Sequence, residues 1–174
     1  MHNVSLKGPG ILAGSFIPPG DKSISHRALM LGALSDGTSA YTNFLEAEDC
    51  LHTLSAFKAM GIPVDLFKEE KKVVIQGRGL LGLKAPSSEL YLGNSGTTMR
   101  LLLGILAGQR FEATLSGDPS LSARPMRRVT QPLKQMGAQI KGRDNGNFAP
   151  LSIRGGRLRG IDFENRLGSA QVKS

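Results

Sequence analysis

The 174-residue chain has no tryptophan, two tyrosines and a single cysteine, Cys50. A lone cysteine closes no internal disulfide, which excludes a disulfide-stapled scaffold. The few aromatics are not interleaved with basic residues, which argues against a single-strand nucleic-acid platform built on base stacking. Long apolar runs are also lacking. The longest, Met99 to Ala107, is broken by Arg100 and falls far below the roughly 20 residues that cross a bilayer. Met1-His2-Asn3-Val4-Ser5 lacks the basic and apolar blocks of a signal peptide. Together these absences read as a soluble cytoplasmic protein.

What is present is a core-forming composition, 40% apolar and 21% charged, of a length that suits one domain. The net charge of +8 is unevenly placed. Residues 1 to 119 carry eleven basic and eleven acidic side chains, whereas residues 120 to 174 carry eleven against three. Such polarity points to an anionic partner, an absent acidic complement, or both.

The chain repeats itself with a period of about 75 residues. Gly20-Asp21-Lys22-Ser23-Ile24-Ser25-His26-Arg27 aligns with Gly93-Asn94-Ser95-Gly96-Thr97-Thr98-Met99-Arg100, each a glycine-led polar loop entering an apolar helix. Ala59-Met60-Gly61-Ile62 matches Gln135-Met136-Gly137-Ala138, each closing an amphipathic helix with a C′ glycine. Val73 to Gly79 matches Leu151 to Gly156, a strand running into a glycine turn. Each unit reads as loop, apolar helix, strand (39 to 44; 111 to 116), amphipathic helix (49 to 60; about 126 to 136) and three short strands. Counting the strand before each loop, this is an α/β fold of repeated βαβαββ units. The first helices, apolar all round, are expected inside the core with sheets outside them. A third unit opens at Gly168-Ser169-Ala170-Gln171, so the sequence is expected to be incomplete at Ser174.

Two glycine motifs need weighing. Gly77-Arg78-Gly79-Leu80-Leu81-Gly82 spells a dinucleotide-binding pattern, but Pro86 lies where its helix should run and no acid stands near position 102. It reads as a strand-linking turn. Gly20-Asp21-Lys22-Ser23 fails as a P-loop, because Asp21 separates glycine from lysine and position 15 is Ser. It still offers Lys22, Ser23 and free amides at a helix N-terminus, where anions bind; a serine helix cap explains it equally well.

Repetition favours the ligand reading, since stacked units would bring Lys22-Ser23, Asn94-Ser95-Gly96-Thr97 and Ser169-Ala170-Gln171 to one end of the buried helices. A small, multiply anionic ligand is what such a place attracts. A Cβ at Gly96 would obstruct close backbone approach. Arg124 sits in a loop before the second amphipathic helix and suits bidentate anion recognition, whereas Arg127 and Arg128 read as a solvated face. Pro132 predicts a kink or a later helix start. His26 and His52 have no ligand-spaced partner, so zinc is disfavoured. Cys50 reads as a small buried hydrophobe, and Glu48 and Asp49 as helix-start acids.

Four ordered motifs, Gly20 to Arg27, Leu92 to Arg100, Arg124-Pro125-Met126-Arg127-Arg128-Val129 and Gly168 to Ser174, resemble the N-terminal portion of the 5-enolpyruvylshikimate-3-phosphate synthase family. The resemblance covers essentially the whole chain but under half of a family member. It implies transfer of the enolpyruvyl group of phosphoenolpyruvate to shikimate 3-phosphate, on the path to chorismate and aromatic amino acids. It implies two domains of three βαβαββ units around a pseudo-threefold axis, with buried helices and outer mixed sheets. Residues 1–19 would then be a strand segment of the other domain, 20–92 the first unit, 93–167 the second and 168–174 the start of the third.

By position, Lys22 would touch both substrates and act in catalysis, and Ser23 and Arg27 would hold shikimate 3-phosphate. Asn94, Gly96 and Arg124 would frame phosphoenolpyruvate, and Ser169, Ala170 and Gln171 would lie against shikimate 3-phosphate, Gln171 also reaching phosphoenolpyruvate. No metal or cofactor is implied. The family's acid/base carboxylate and lysine lie in its remaining portion, so this chain alone is expected to be inactive. Ala170 replaces a serine found in some members, and Leu101 a proline. Gly96 with Thr97 implies a glyphosate-sensitive pocket. The rival within the fold, the transferase acting on UDP-N-acetylglucosamine, would carry Lys-Asn at 22–23 and a loop cysteine near 115, where this chain has Thr114-Leu115-Ser116-Gly117. The rival from another class is a non-catalytic basic anion- or nucleic-acid-binding module, supported by the charge alone.

Overall fold

The computed structural model describes residues 4, 5, 7, 8, 11, 13–164 and 170–173. In chain order they form α1 (Lys22–Leu34), β1 (Asp36–Tyr41), α2 (Glu48–Ala59), β2 (Val64–Phe67), β3 (Lys72–Arg78), β4 (Leu90–Tyr91) and α3 (Gly96–Ala107). Then follow β5 (Glu112–Ser116), α4 (Pro119–Ser122), α5 (Arg127–Met136), β6 (Gln139–Gly142), α6 (Arg143–Gly146), β7 (Phe148–Arg154) and α7 (Ala170–Lys173).

The repeat seen in the sequence is a repeat of topology. The first sheet has the order β1-β3-β2 and the second β4-β5-β7-β6, so β1, β2 and β3 occupy the places of β5, β6 and β7. All these pairings are antiparallel except β4 with β5, which is parallel. Each sheet turns one face inward, as the two-residue period dictates: Val73 and Ile75 of β3, and Ala149, Leu151 and Ile153 of β7, are buried against the helices.

The glycine turns after β3 and β7 explain themselves here. Each strand leaves its sheet by crossing the C-terminal end of a buried helix at backbone contact. A Cβ on Gly77 would lie 2.2 Å from the Ser35 carbonyl oxygen, and one on Gly155 2.2 Å from that of Leu106. Gly79 N–H then donates to Ser35 O, and Gly156 N–H to Ala107 O, at 2.9 and 3.0 Å. No helix follows Gly79 before β4, so the dinucleotide motif is a strap over α1.

Several expectations are corrected. The strand expected over 39 to 44 begins earlier, because Asp36 and Gly37 pair with Arg78 and Gly77. It stops at Tyr41 because Asn43 turns the chain at φ 55° and Phe44 is buried, its N–H on Lys71 O. The described residues before Lys22 form no strand, and no strand follows β7 among residues 155–164. Helix α5 runs unbroken through Pro132 from Arg127. Its last turn closes on Gly137 at φ 113°, as α2 does on Gly61 at φ 83°.

The burial of the apolar helices holds for α3, where Met99, Leu102, Leu103 and Leu106 are almost wholly enclosed. It holds for one side of α1 only. Ile24 and Leu31, seven residues apart and therefore on one face, are 69% and 65% exposed.

Candidate anion-binding site

The loop leading into α1 is held tightly: a Cβ on Gly20 would meet Asn43 O at 2.2 Å. The helix cap is Asp21 and not a serine, its Oδ1 accepting from Ile24 N–H at 2.8 Å. Ser25 Oγ donates to Asp21 O at 2.8 Å and accepts from Leu45 N–H at 3.0 Å, fixing the loop to the next segment. Ser23 is therefore left exposed in the first turn with no capping duty. Lys22 Nζ lies 3.2 Å from Asp49 Oδ2, and Arg27 reaches back along its own helix to Ser23 O at 3.4 Å.

In α2 the cap is Ala47, with no side-chain hydrogen bond, so Glu48 and Asp49 occupy the first turn without capping it. Asp49 holds Lys22 instead, and Glu48 Oε1 stands 3.7 Å from His52 Nε2. Cys50 is buried beside this turn. Burial, with Asp49 adding to it, pushes the Cys50 thiol up to about 11.

The loop before α3 is glycine-dependent at two points. Gly93 has φ 54° and passes so close to His52 that a Cβ would fall 2.3 Å from its Nε2. Ser95 caps α3, its Oγ accepting from Thr98 N–H at 3.2 Å. Asp118 caps α4, accepting from Leu121 N–H at 2.6 Å, and its own N–H donates to Gly93 O at 2.9 Å. This pair of bonds brings the loop of Arg124 over the α3 N-terminus. Arg124 Nη2 donates to Asn94 Oδ1 and to Ser120 Oγ.

The result is a backbone flanked by cations. A Cβ on Gly96 would lie 2.9 Å from Arg100 Nη1 and 3.2 Å from Arg124 Nη1. Burial first, then the nearby Arg128 and Arg124, lowers the pKa of the Arg100 guanidinium. Like charges gathered at a helix N-terminus repel one another, and an anion there would offset them. Arg127 instead pairs with Asp144 at 2.7 Å, in keeping with a solvated face.

The sites named from the sequence thus fall into two clusters. Lys22, Ser23 and Arg27 share the N-terminal end of α1; Asn94, Gly96 and Arg124 share that of α3. Thr53 of α2 joins them, its Oγ1 being 2.8 Å from His26 Nδ1 of α1 and 2.7 Å from Thr98 Oγ1 of α3. Ser169 lies outside the described residues. Ala170 and Gln171 begin α7, which packs against α3. The cleft of about 460 Å³ between α3, α5 and α7 is lined chiefly by Leu101, Ile105, Val129, Leu133 and Val172, with Arg100 and Lys173 also on its wall.

Sequence reasoning passed over Arg100, although the signal was there. Gly96 and Arg100 are four apart, the spacing at which two residues of a helix share a face, and Ser23 and Arg27 repeat it. Asp49 as the partner of Lys22 had no such signal, because it depends on how α1 and α2 pack. Among the described residues, no helix is long and apolar enough to cross a membrane.

Residues 6–174 match the family model of EPSP synthase (3-phosphoshikimate 1-carboxyvinyltransferase). The chain is 57% identical over 156 residues to the 3-phosphoshikimate 1-carboxyvinyltransferase of Bacillus pumilus, covering 90% of this chain and 36% of that protein. It is 52% identical over all 174 residues to that of Citrifermentans bemidjiense, 40% of whose length is covered. Among solved structures it is similar to the EPSP synthase of Acinetobacter baumannii, with a TM-score of 0.87, 52% identity, and coverage of 92% of this chain and 36% of that one. The chain thus spans between a third and two fifths of the length of these relatives. Matched from residue 6 onward by the family model, and in backbone by a solved structure, it belongs to the EPSP synthase family.

Proposed function

We propose that this chain carries the N-terminal half-site of an enolpyruvyl transferase, which moves the carboxyvinyl group of phosphoenolpyruvate to the 5-hydroxyl of shikimate 3-phosphate and releases phosphate. The observation that carries the reading is Gly96, where the missing Cβ lets the guanidinium groups of Arg100 and Arg124 come within about a side-chain atom of the α3 N-terminus. Phosphoenolpyruvate bears a carboxylate and a phosphate, the groups that forked guanidinium donors bind best.

In this reading Asn94, Gly96 and Arg124 hold phosphoenolpyruvate. Ser23 and Arg27 hold shikimate 3-phosphate, and Ser169, Ala170 and Gln171 border it. Lys22, between the two, stabilises charge as the reaction proceeds. The methylene carbon is protonated, the hydroxyl gives up its proton as its oxygen adds to the adjacent carbon to form a tetrahedral ketal, and the new methyl carbon loses a proton as phosphate leaves and the double bond reforms. The acid and base for these proton transfers come from the part of the relatives that the chain does not span, so the 174 residues alone give no turnover. Residues 20–92 and 93–167 serve as two βαβαββ units, 168–174 opens a third, and 1–19 belongs to a second domain whose closure excludes water. Gly96 with Thr97 leaves the pocket open to glyphosate, and the protein works in the cytoplasm.

Titration calorimetry tests the reading. Shikimate 3-phosphate should give a saturable heat with the chain, and a chimera joining it to the remainder of the Bacillus pumilus relative should release phosphate when both substrates are present. No heat, no release from a folded chimera and a steep salt dependence of RNA binding would instead establish a basic nucleic-acid-binding module.

A further inference from the structure

Four of the buried polar side chains, His26, Thr53, Ser95 and Thr98, form one connected chain between three helices. One arrangement of its protons satisfies every link, and it starts from the hydroxyl of Thr53 turned to its own helix. Thr53 Oγ1 donates its only proton to Asp49 O at 3.1 Å. Its oxygen then accepts, from Thr98 Oγ1 at 2.7 Å and from His26 Nδ1 at 2.8 Å. Ser95 Oγ, already accepting from Thr98 N–H, gives its proton to Thr98 Oγ1 at 2.6 Å. In this arrangement His26 carries its proton on Nδ1, the tautomer that leaves an acceptor and not a donor unpaired at Nε2. That nitrogen is buried and has no hydrogen-bond partner among the described residues.

A histidine with no exposed surface and an orphaned ring nitrogen is a poor filler, because an unmade buried hydrogen bond opposes folding. What the ring supplies is a directed donor, which an apolar side chain of its size cannot. Resting on the function proposed above, we propose that His26 is a positioning residue: through Thr53 it locks the turn of α1 bearing Lys22, Ser23 and Arg27 to the turn of α3 bearing Ser95, Gly96 and Thr98, so that both substrate clusters keep one spacing. The ring stays neutral in this role. Burial chiefly, with the cations of Lys22 and Arg27 against the opposing carboxylate of Asp49, lowers its pKa from the ordinary histidine value.

The test compares three substitutions in the full chain. Asn at position 26 places an amide nitrogen where Nδ1 stands, Ala places none there, and Val at position 98 removes the relay hydroxyl while keeping its shape. In folded protein, His26→Ala and Thr98→Val should each weaken shikimate 3-phosphate binding about tenfold, and His26→Asn should restore it to within about threefold. Long-range nitrogen–proton NMR should show the Nδ1–H tautomer at neutral pH, and His26→Ala should shift the backbone amides of Gly96, Thr97 and Thr98. An Nε2–H tautomer, unmoved α3 amides, or parent-like affinity in both His26→Ala and Thr98→Val would overturn the proposal. If the unsubstituted chain gives no heat with shikimate 3-phosphate, the function assigned above falls, and the NMR readouts still decide whether His26 couples α1 to α3.

Discussion

Lys22 Nζ stands 3.2 Å from Asp49 Oδ2, an ion pair that joins the first turns of α1 and α2. The two side chains are 52% and 26% exposed, and a pair so open to water contributes only about 0 to 1 kcal/mol. Its consequence is orientation: one ammonium group is kept at the end of the helices where the ligand is expected. Lys22→Met retains the aliphatic stem and removes the charge. Urea unfolding should then move by less than about 1 kcal/mol, while calorimetry shows shikimate 3-phosphate binding weakened by about tenfold or more. Unaltered affinity would take Lys22 out of the site.

Gly96→Ala separates stability from binding. The added Cβ meets only the tips of Arg100 and Arg124, which can swing aside, and alanine loses less backbone freedom on folding than glycine, an advantage of about 0.4 to 1 kcal/mol. Stability should hold or rise slightly. The displaced arginines and the filled space should raise KM for phosphoenolpyruvate in the chimera with the Bacillus pumilus remainder, and reduce inhibition by glyphosate. A variant with unchanged KM would place the ligand away from Gly96.

Gly77→Ala and Gly155→Ala should cost alike, because the two residues do the same thing in the two repeats. Each new Cβ would fall 2.2 Å from a backbone oxygen, which no side-chain rotation relieves. Each substitution should lower unfolding free energy by about 3 kcal/mol or more. Gly156, with nothing near its Cβ position, is the control, and Gly156→Ala should stay within about 0.5 kcal/mol of the parent. Unequal losses at 77 and 155 would mean the straps over α1 and α3 are not equivalent.

The repeat was legible because it is written in local signals: a glycine before each buried helix, a C′ glycine after each amphipathic one, and two-residue alternation in β3 and β7. Positions decided by packing were not. Ile24 and Leu31 look like core residues by composition, and nothing local says that this face of α1 has no neighbour among the described residues. Lys22 and Asp49 are 27 apart in sequence and Thr53 and Thr98 are 45 apart, so their meetings follow from helix docking alone. The choice of Asp21 over Ser23 as the cap lay within reach of the sequence, since both are good capping residues two apart, but only the starting point of the helix settles it.

Cys50 should be silent in the native protein. Its thiol is buried and pushed up to about 11, and the reactive form is the thiolate. At pH 8 a thiol reagent such as dithiobis-nitrobenzoate should titrate no group in the folded chain and one after unfolding in urea. Rapid labelling of native protein would show that the first turn of α2 opens readily.

His26 should make stability depend on mild acid, with a definite sign. Its pKa in the folded chain lies below the ordinary value of 6.5, so the unfolded state binds the proton more readily. Above about pH 6.5 the ring is neutral in both states and the full stability is present. As pH falls below that, the unfolded state gains the proton first. Stability should then decline, by at most about 1.4 kcal/mol per pH unit for a single group, and the decline should level off once pH passes the folded pKa. Carboxylates titrate in the same region, so the informative quantity is a difference. Urea midpoints measured from pH 8 to pH 5 should fall faster for the parent than for His26→Asn, which has nothing to protonate at that position. Parallel curves would mean that the ring takes up its proton equally well in both states, and that its burial among Thr53 and Thr98 does not hold it neutral.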